Sequence, residues 1–434
     1  MRTSTVVCGY DDRVVAWVQR RGPTLVEVMA TADFSLFDGA LVALATVIVL
    51  LMLQRGVRDA PFWRATVTPL ASIIGSGFLV VVPLLAGIAG PFSVLAITAI
   101  VLLSLCLGDA LRFIIRHDRP PADTVMRVLA HTSDLSLAAA FIVSITFYIR
   151  LMSGFVLSGI HLYTPFNADL LATLVLAFIG LYGLRRGLSG LERLEEYSVT
   201  IKLSIIAALL VGMVHFDVRN GYDLSALPEP GTDWWLSLRE LGGMLLIVQG
   251  FETSRYLGNS YAADLRVRSM LLAQVLAGVI YVAFVALAMP LMGPLAGEPP
   301  QETAIIGLSA RITPVLPLML VVAAAMSQFS AAIADTIGAG GVVERESHQR
   351  VPAHLSYLVI AVLAVLLMWV SNIFEVVALA SRVFAFYYML QAAMAARLAW
   401  EPAGDRRQPW RAGAYAALAL LMLLVVLFAR SMET

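Results

Sequence analysis

Long apolar runs separated by short arginine-bearing segments dominate the chain. A helix needs about 20 apolar residues, roughly 17–25, to cross the hydrocarbon of a bilayer. Twelve candidate runs appear, numbered here from 0. They cover about residues 34–53, 66–89, 92–115, 135–160, 170–184, 197–216, 238–258, 269–292, 314–343, 355–370, 374–396 and 412–429. Asp38 interrupts span 0, which either crosses or lies partly buried at the interface. The polar segment of about 34 residues before it lacks the basic region, short apolar core and small-residue cleavage site of a signal peptide, so none is expected to be removed.

Composition narrows the class. Of 434 residues, 59% are hydrophobic and 14% charged, and mean hydropathy is +0.83. Soluble domains carry about 25% charged residues. A soluble globule, a disordered chain and a nucleic-acid binder with a basic face are therefore excluded. Cys8 and Cys106 make no disulfide framework, and the six histidines show no metal-ligand spacing, so no cofactor is implied. No H-E-x-x-H, G-x-S-x-G or P-loop pattern is present, which argues against an enzyme. A sensor would need a soluble signalling domain, and no polar segment is long enough for one.

Charge sets the orientation. With the segment between spans 0 and 1 inside, nineteen arginines fall on inner segments, from Arg55 to Arg411. Only Arg219, Arg239, Arg311 and Arg430 fall outside after span 1, as the positive-inside rule requires. Thirty basic residues balance thirty acidic ones, yet lysine occurs once, as Lys202 in span 5. Arg150 in span 3 and Arg382 in span 10 are the other basic residues left within spans. An ionisable residue there costs at least about 2.5 kcal/mol on insertion scales, so each is a functional candidate unless it snorkels to an interface.

Two spans carry helix-breaking signals at corresponding positions. Span 1 reads Ile74-Gly75-Ser76-Gly77-Phe78, then Pro83; span 6 reads Gln249-Gly250-Phe251-Glu252. Gly-Ser-Gly can also be a close helix contact. Paired breaks five spans apart point instead to two inverted halves and a central binding site. The backbone N–H groups of Ser76, Gly77 and Phe78 would suit an anion such as a carboxylate. Freed carbonyls at Val248, Gln249 and Gly250 would accept from an ammonium group, with Glu252 beside them. A site with both features suits an α-amino acid or a similar zwitterion.

These residues resemble the amino acid–polyamine–organocation superfamily. Similarity is clearest in the Gly75-Ser76-Gly77 break, Pro83 and Ala89-Gly90-Pro91, fair at Gly250-Phe251-Glu252, and weaker at Asp109 and in the 375–389 run. The resemblance covers about residues 66–397. It implies an all-α, polytopic five-plus-five inverted repeat of the LeuT type and secondary transport by alternating access. Sodium-independent relatives often carry a lysine in span 5, whose ammonium replaces a sodium ion between spans 1, 5 and 8. Lys202 matches that position, which implies proton coupling, with the lysine seated near the carbonyls of residues 73–75 and near Ser327 or Ser330. Desolvation disfavours a charged lysine, which lets such a group load and release a proton.

Departures also stand out. Arg255 follows Glu252 by three residues and could pair with it, Asp335-Thr336 stands where the family favours Ser-Arg, and Arg150 has no family role. Arg150 could favour a substrate with an extra acidic group. The expected organisation is an N-terminal segment with an extra helix (1–65), a first repeat (66–216), a second repeat (237–397) and a C-terminal helix (398–434). The leading expectation is a proton-coupled carrier of amino acids or small amines in a bacterial cytoplasmic membrane. Its partners would be the small-molecule substrate, protons and lipid. A carrier of an inorganic cation or a nucleobase on the same scaffold remains the alternative.

Overall fold

In the computed structural model, residues 34–75, 77–117, 123–159, 162–231, 233–295, 304–370, 373–401 and 408–429 are described. The fold is all-α; no strand occurs among the described residues. Among the described residues its longer helices are α1 (Leu36–Met52), α2 (Pro61–Ile73), α3 (Gly77–Ile88), α4 (Ser93–Arg116), α5 (Thr124–Gly159), α6 (Pro165–Asn220), α7 (Trp234–Met244), α8 (Ala263–Ala288), α9 (Leu316–Glu346), α10 (Ala353–Val370), α11 (Ile373–Trp400) and α12 (Pro409–Phe428). Among the described residues, seven helices are long and apolar enough to cross a membrane, and α2 with α3 forms an eighth, bent by 41°.

The helices exceed the apolar windows. α5 begins well before residue 135, and α6 runs for 56 residues. At 1.5 Å per residue, that length far exceeds a bilayer's ~30 Å. α6 is two spans joined at Gly187, whose φ of 64° and ψ of −161° break the helical path. Its second arm starts in a charged stretch containing Glu192, Glu195 and Glu196, all buried. Hydropathy excluded that stretch, but Glu192 pairs with Arg64 and Glu195 accepts from Thr68 on the inner half of span 1.

Span 6 is not one helix. α7 gives way to a 3-10 turn over Leu245–Val248, then Gly250 at φ 117°, then a second 3-10 stretch over Phe251–Tyr256. Span 0 forms α1, whose Ser35 cap and Asp38 make a capping box. α1 packs on α6, and Leu41 is buried there near Gly212. Around the centre, α9 packs on α5 and α6, α8 on α4 and α2, and α11 on α5 and α12.

Candidate functional site

The two breaks meet face to face. A Cβ on Gly77 would lie 2.6 Å from Ile247 Cγ2 and 2.9 Å from the Ile247 carbonyl oxygen. A Cβ on Gly250 would lie 2.6 Å from the Ile73 nitrogen and 2.5 Å from Ser72 Oγ. No side chain fits between the backbones, so glycine is required for this contact. At Gly250, the positive φ requires it independently.

Interrupted helices leave carbonyls without helical partners, and hydroxyl groups cap them here. Tyr281 of α8 places its hydroxyl 3.1 Å from both the Ile73 and the Ile247 oxygens. Ser104 donates to Val248 O at 3.1 Å and is itself held by Gln274. Thr253 Oγ1 donates to Gly250 O at 2.8 Å. The acceptor sites expected at Val248 and Gly250 are thus shared with the protein's own donors. Gln249 is half-buried, with no hydrogen-bond partner for its Oε1.

Lys202 is fully buried beside the span 1 break. Its ammonium donates to Ala71 O at 2.8 Å, Ile74 O at 2.5 Å and Ser330 Oγ at 2.8 Å. Ser327 donates to Ile74 O at 2.8 Å and Gly75 O at 3.0 Å. Lys202, Ser327 and Ser330 therefore converge on the carbonyls that end α2. Hydrogen bonds to a charged group contribute about 1.5–3 kcal/mol each, which offsets the several kcal/mol of burying the ammonium.

Glu252 is also fully buried. Its Oε2 accepts from the Gly250 N–H at 2.9 Å and the Tyr388 hydroxyl at 2.5 Å, while Oε1 has no hydrogen-bond partner. Gly75 packs near Tyr148, and Phe78 stacks on Phe284 with centroids 4.3 Å apart. Ser76 lies outside the described residues.

Of the other intramembrane charges, Arg255 lies in the broken stretch of span 6, five residues after Gly250. Arg150 pairs with Asp169 at 3.0 Å across the turn between α5 and α6. Arg150 is thus held by a carboxylate of the chain itself. Arg255 is buried, hydrogen-bonded to Gln391 and over the ring of Tyr256, while Arg382 is exposed.

Two buried carboxylates at the site were not picked out in the sequence. Asp335 accepts from Ser72 at 2.9 Å and from Ser144, bridging α2, α5 and α9. Glu195 accepts from Thr68 at 2.7 Å. Asp335 was visible only as a departure from the family pattern. Glu195 lay in a charged stretch that an apolar window skips.

At the inner end, α2, α6 and the segment before α8 surround a cavity of about 670 Å³. Its lining includes Arg64, Arg186, Ser189, Glu192, Ser260 and Tyr261. Arg64 pairs with Glu192, whose other oxygen accepts from Tyr261 at 2.7 Å.

Two interlocked breaks inside a bundle of apolar helices define an integral membrane transporter of the LeuT type. The comparisons agree. The chain resembles MhsT in its complex with L-phenylalanine at a TM-score of 0.57, with 15% identity over 85% of this chain and 98% of that one. It resembles a Na+-coupled sialic acid symporter at a TM-score of 0.51, with 14% identity over 93% and 100%. An uncharacterized protein of Aquifex aeolicus (strain VF5) is 40% identical over 382 residues, 86% of this chain and 91% of the relative. The model of APC superfamily transporters matches residues 55–429, and the chain belongs to that superfamily. It is a secondary transporter in class.

Proposed function

We propose that this transporter carries amino acids or related small amines, coupled to protons and independent of sodium. The observation that carries the reading is the seat of Lys202 on Ala71 O, Ile74 O and Ser330 Oγ. A protonated lysine there ties the end of α2 to α6 and α9. Loss of that proton removes the charge from three hydrogen bonds at once and loosens α2 from the helices behind it. Proton release thereby becomes linked to movement of one half of a broken span.

The substrate would lie where the breaks meet. The Gly77 N–H sits at the N-terminus of α3, which favours a carboxylate, while the Phe78 N–H donates to Gly75 O at 3.4 Å. Glu252 and the carbonyl end at Val248–Gly250 favour an ammonium group. Around the breaks, Glu252 and Asp335 stand against Lys202 and Arg255. The buried Glu252 Oε1, with no hydrogen-bond partner, supports a solute with a positively charged nitrogen.

Thermal stabilisation of purified protein by amino acids, polyamines and nucleobases tests the solute. Stabilisation by amino acids or amines is expected; a shift with nucleobases alone would overturn the assignment. Coupling is tested by Lys202→Ala in proteoliposomes. Uptake that still follows an imposed pH gradient would sink that part of the reading.

A further inference from the structure

We infer that Glu195 relays the proton between Lys202 and the inner cavity, an inference that rests on the proton-coupled reading above. Along the second arm of α6, Glu192, Glu195, Val199 and Lys202 are spaced three, four and three residues apart, and all four are buried. That spacing puts them on one helical face. Opposite, α2 presents Arg64, Thr68 and Ala71 at spacings of four and three. The two faces join rung by rung: Arg64 to Glu192, Thr68 to Glu195, and Ala71 O to Lys202.

The order of groups runs from the buried break to water. Glu192 lines the inner cavity. Glu195 lies one turn deeper and is fully buried, and Lys202 lies two turns beyond it. Helical side chains lean toward their own N-terminus, so Lys202 leans toward Glu195 and Glu195 leans toward Glu192. The charged groups acting on Glu195 are Glu192 and Lys202 on its own helix and Asp335 on α9, while α2 contributes Thr68. Glu195 is likewise the charge that acts on Lys202.

The hydrogen bonding of Glu195 fits a relay better than a strut. Oε2 accepts from Thr68, while Oε1 is buried with no hydrogen-bond partner. A tie to Thr68 needs one acceptor oxygen, which glutamine would also supply. An unpartnered buried oxygen is costly, and it is the atom free to take a proton. The two groups are two turns apart, so the proton passes from the Lys202 ammonium to Oε1 through intervening water, leaving a neutral amine and a carboxylic acid. Passage of that proton to Glu192 or to water in the cavity regenerates the carboxylate and balances the step.

The test uses the full chain in proteoliposomes containing a pH-sensitive dye, with a mixture of radiolabelled L-amino acids as probe. Wild type is expected to show labelled uptake with proton influx. Glu195→Gln is expected to lose proton influx by about tenfold or more, the low end of acid–base contributions being larger still. Exchange of internal for external label should fall far less, and Glu195→Asp should recover part of the influx. If Glu195→Gln keeps wild-type influx while Lys202→Ala loses it, the relay is overturned and the lysine reading survives. If Glu195→Gln loses exchange as fully as influx while melting like wild type, the residue is structural and the relay is overturned. Wild-type uptake without proton movement, or no uptake of any labelled amino acid, would overturn the coupled reading and the relay together.

Discussion

The hydroxyl of Tyr281 lies 3.1 Å from the carbonyl oxygen of Ile73, and it stands equally close to Ile247 on the other broken span. One phenol therefore serves both interruptions. Tyr281 is fully buried, so water has no ready route to replace it. Tyr281→Phe is expected to destabilise the protein by about 1–3 kcal/mol, the cost of leaving a buried acceptor unpaired. Thermal unfolding in detergent measures it, and an unchanged melting temperature would contradict the role.

Gly250→Ala should be more damaging. The substitution forces a side chain into a φ of 117° and against the Ser72–Ile73 backbone. Strain of this kind costs about 1–3 kcal/mol before the clash is counted. Transport should fall to background, whereas Gly39→Ala, where nothing lies within 4 Å, should leave transport and melting unchanged.

Because Lys202 is the sole lysine, an amine-reactive reagent followed by mass spectrometry reads one internal position. Full burial predicts slow labelling in the wild type. Arg64→Ala removes the tie to Glu192 at the cavity mouth, and labelling is expected to accelerate several-fold. Equal rates would mean that this tie does not restrain access to Lys202.

Arg150 and Asp169 should behave as a coupled pair. Each side chain keeps only 11% and 14% of its exposure. Breaking a buried pair costs up to about 3–5 kcal/mol, and this partly exposed one should cost less. Arg150→Gln alone should destabilise more than Arg150→Gln with Asp169→Asn, and neither should change which solute is taken up. A change in solute preference in the single variant would return Arg150 to the substrate site.

Much of this architecture could be read from the sequence because the bilayer imposes a length and glycine marks a break. Gly75, Gly77 and Gly250 stand out in spans that are otherwise helix-forming, and Lys202 stands out by rarity. What escaped detection depends on partners far apart in sequence. Asp169 answers Arg150 from the next helix, and Ser72 and Ser144 reach Asp335 across 263 and 191 positions. No local periodicity encodes such meetings. Glu192 and Glu195 escaped for a different reason: an acidic turn at a span's edge looks solvated unless its neighbour also presents polar groups. Tyr281 and Tyr388 look like ordinary apolar packing, since nothing local shows that freed carbonyls wait opposite the one and the Glu252 carboxylate opposite the other.

The stitching of α2 has a consequence for how the protein is made. Arg64, Thr68 and Ser72 find their partners 128, 127 and 263 residues later in the chain. Synthesis runs at about 5–20 residues per second, so Ser72 waits roughly 13–50 s for Asp335 to emerge. Arg64 and Thr68 meet their partners about halfway through that interval, and Ser72 is answered only at its end. The final placement of α2 belongs to the close of translation, although it is among the first segments to leave the ribosome.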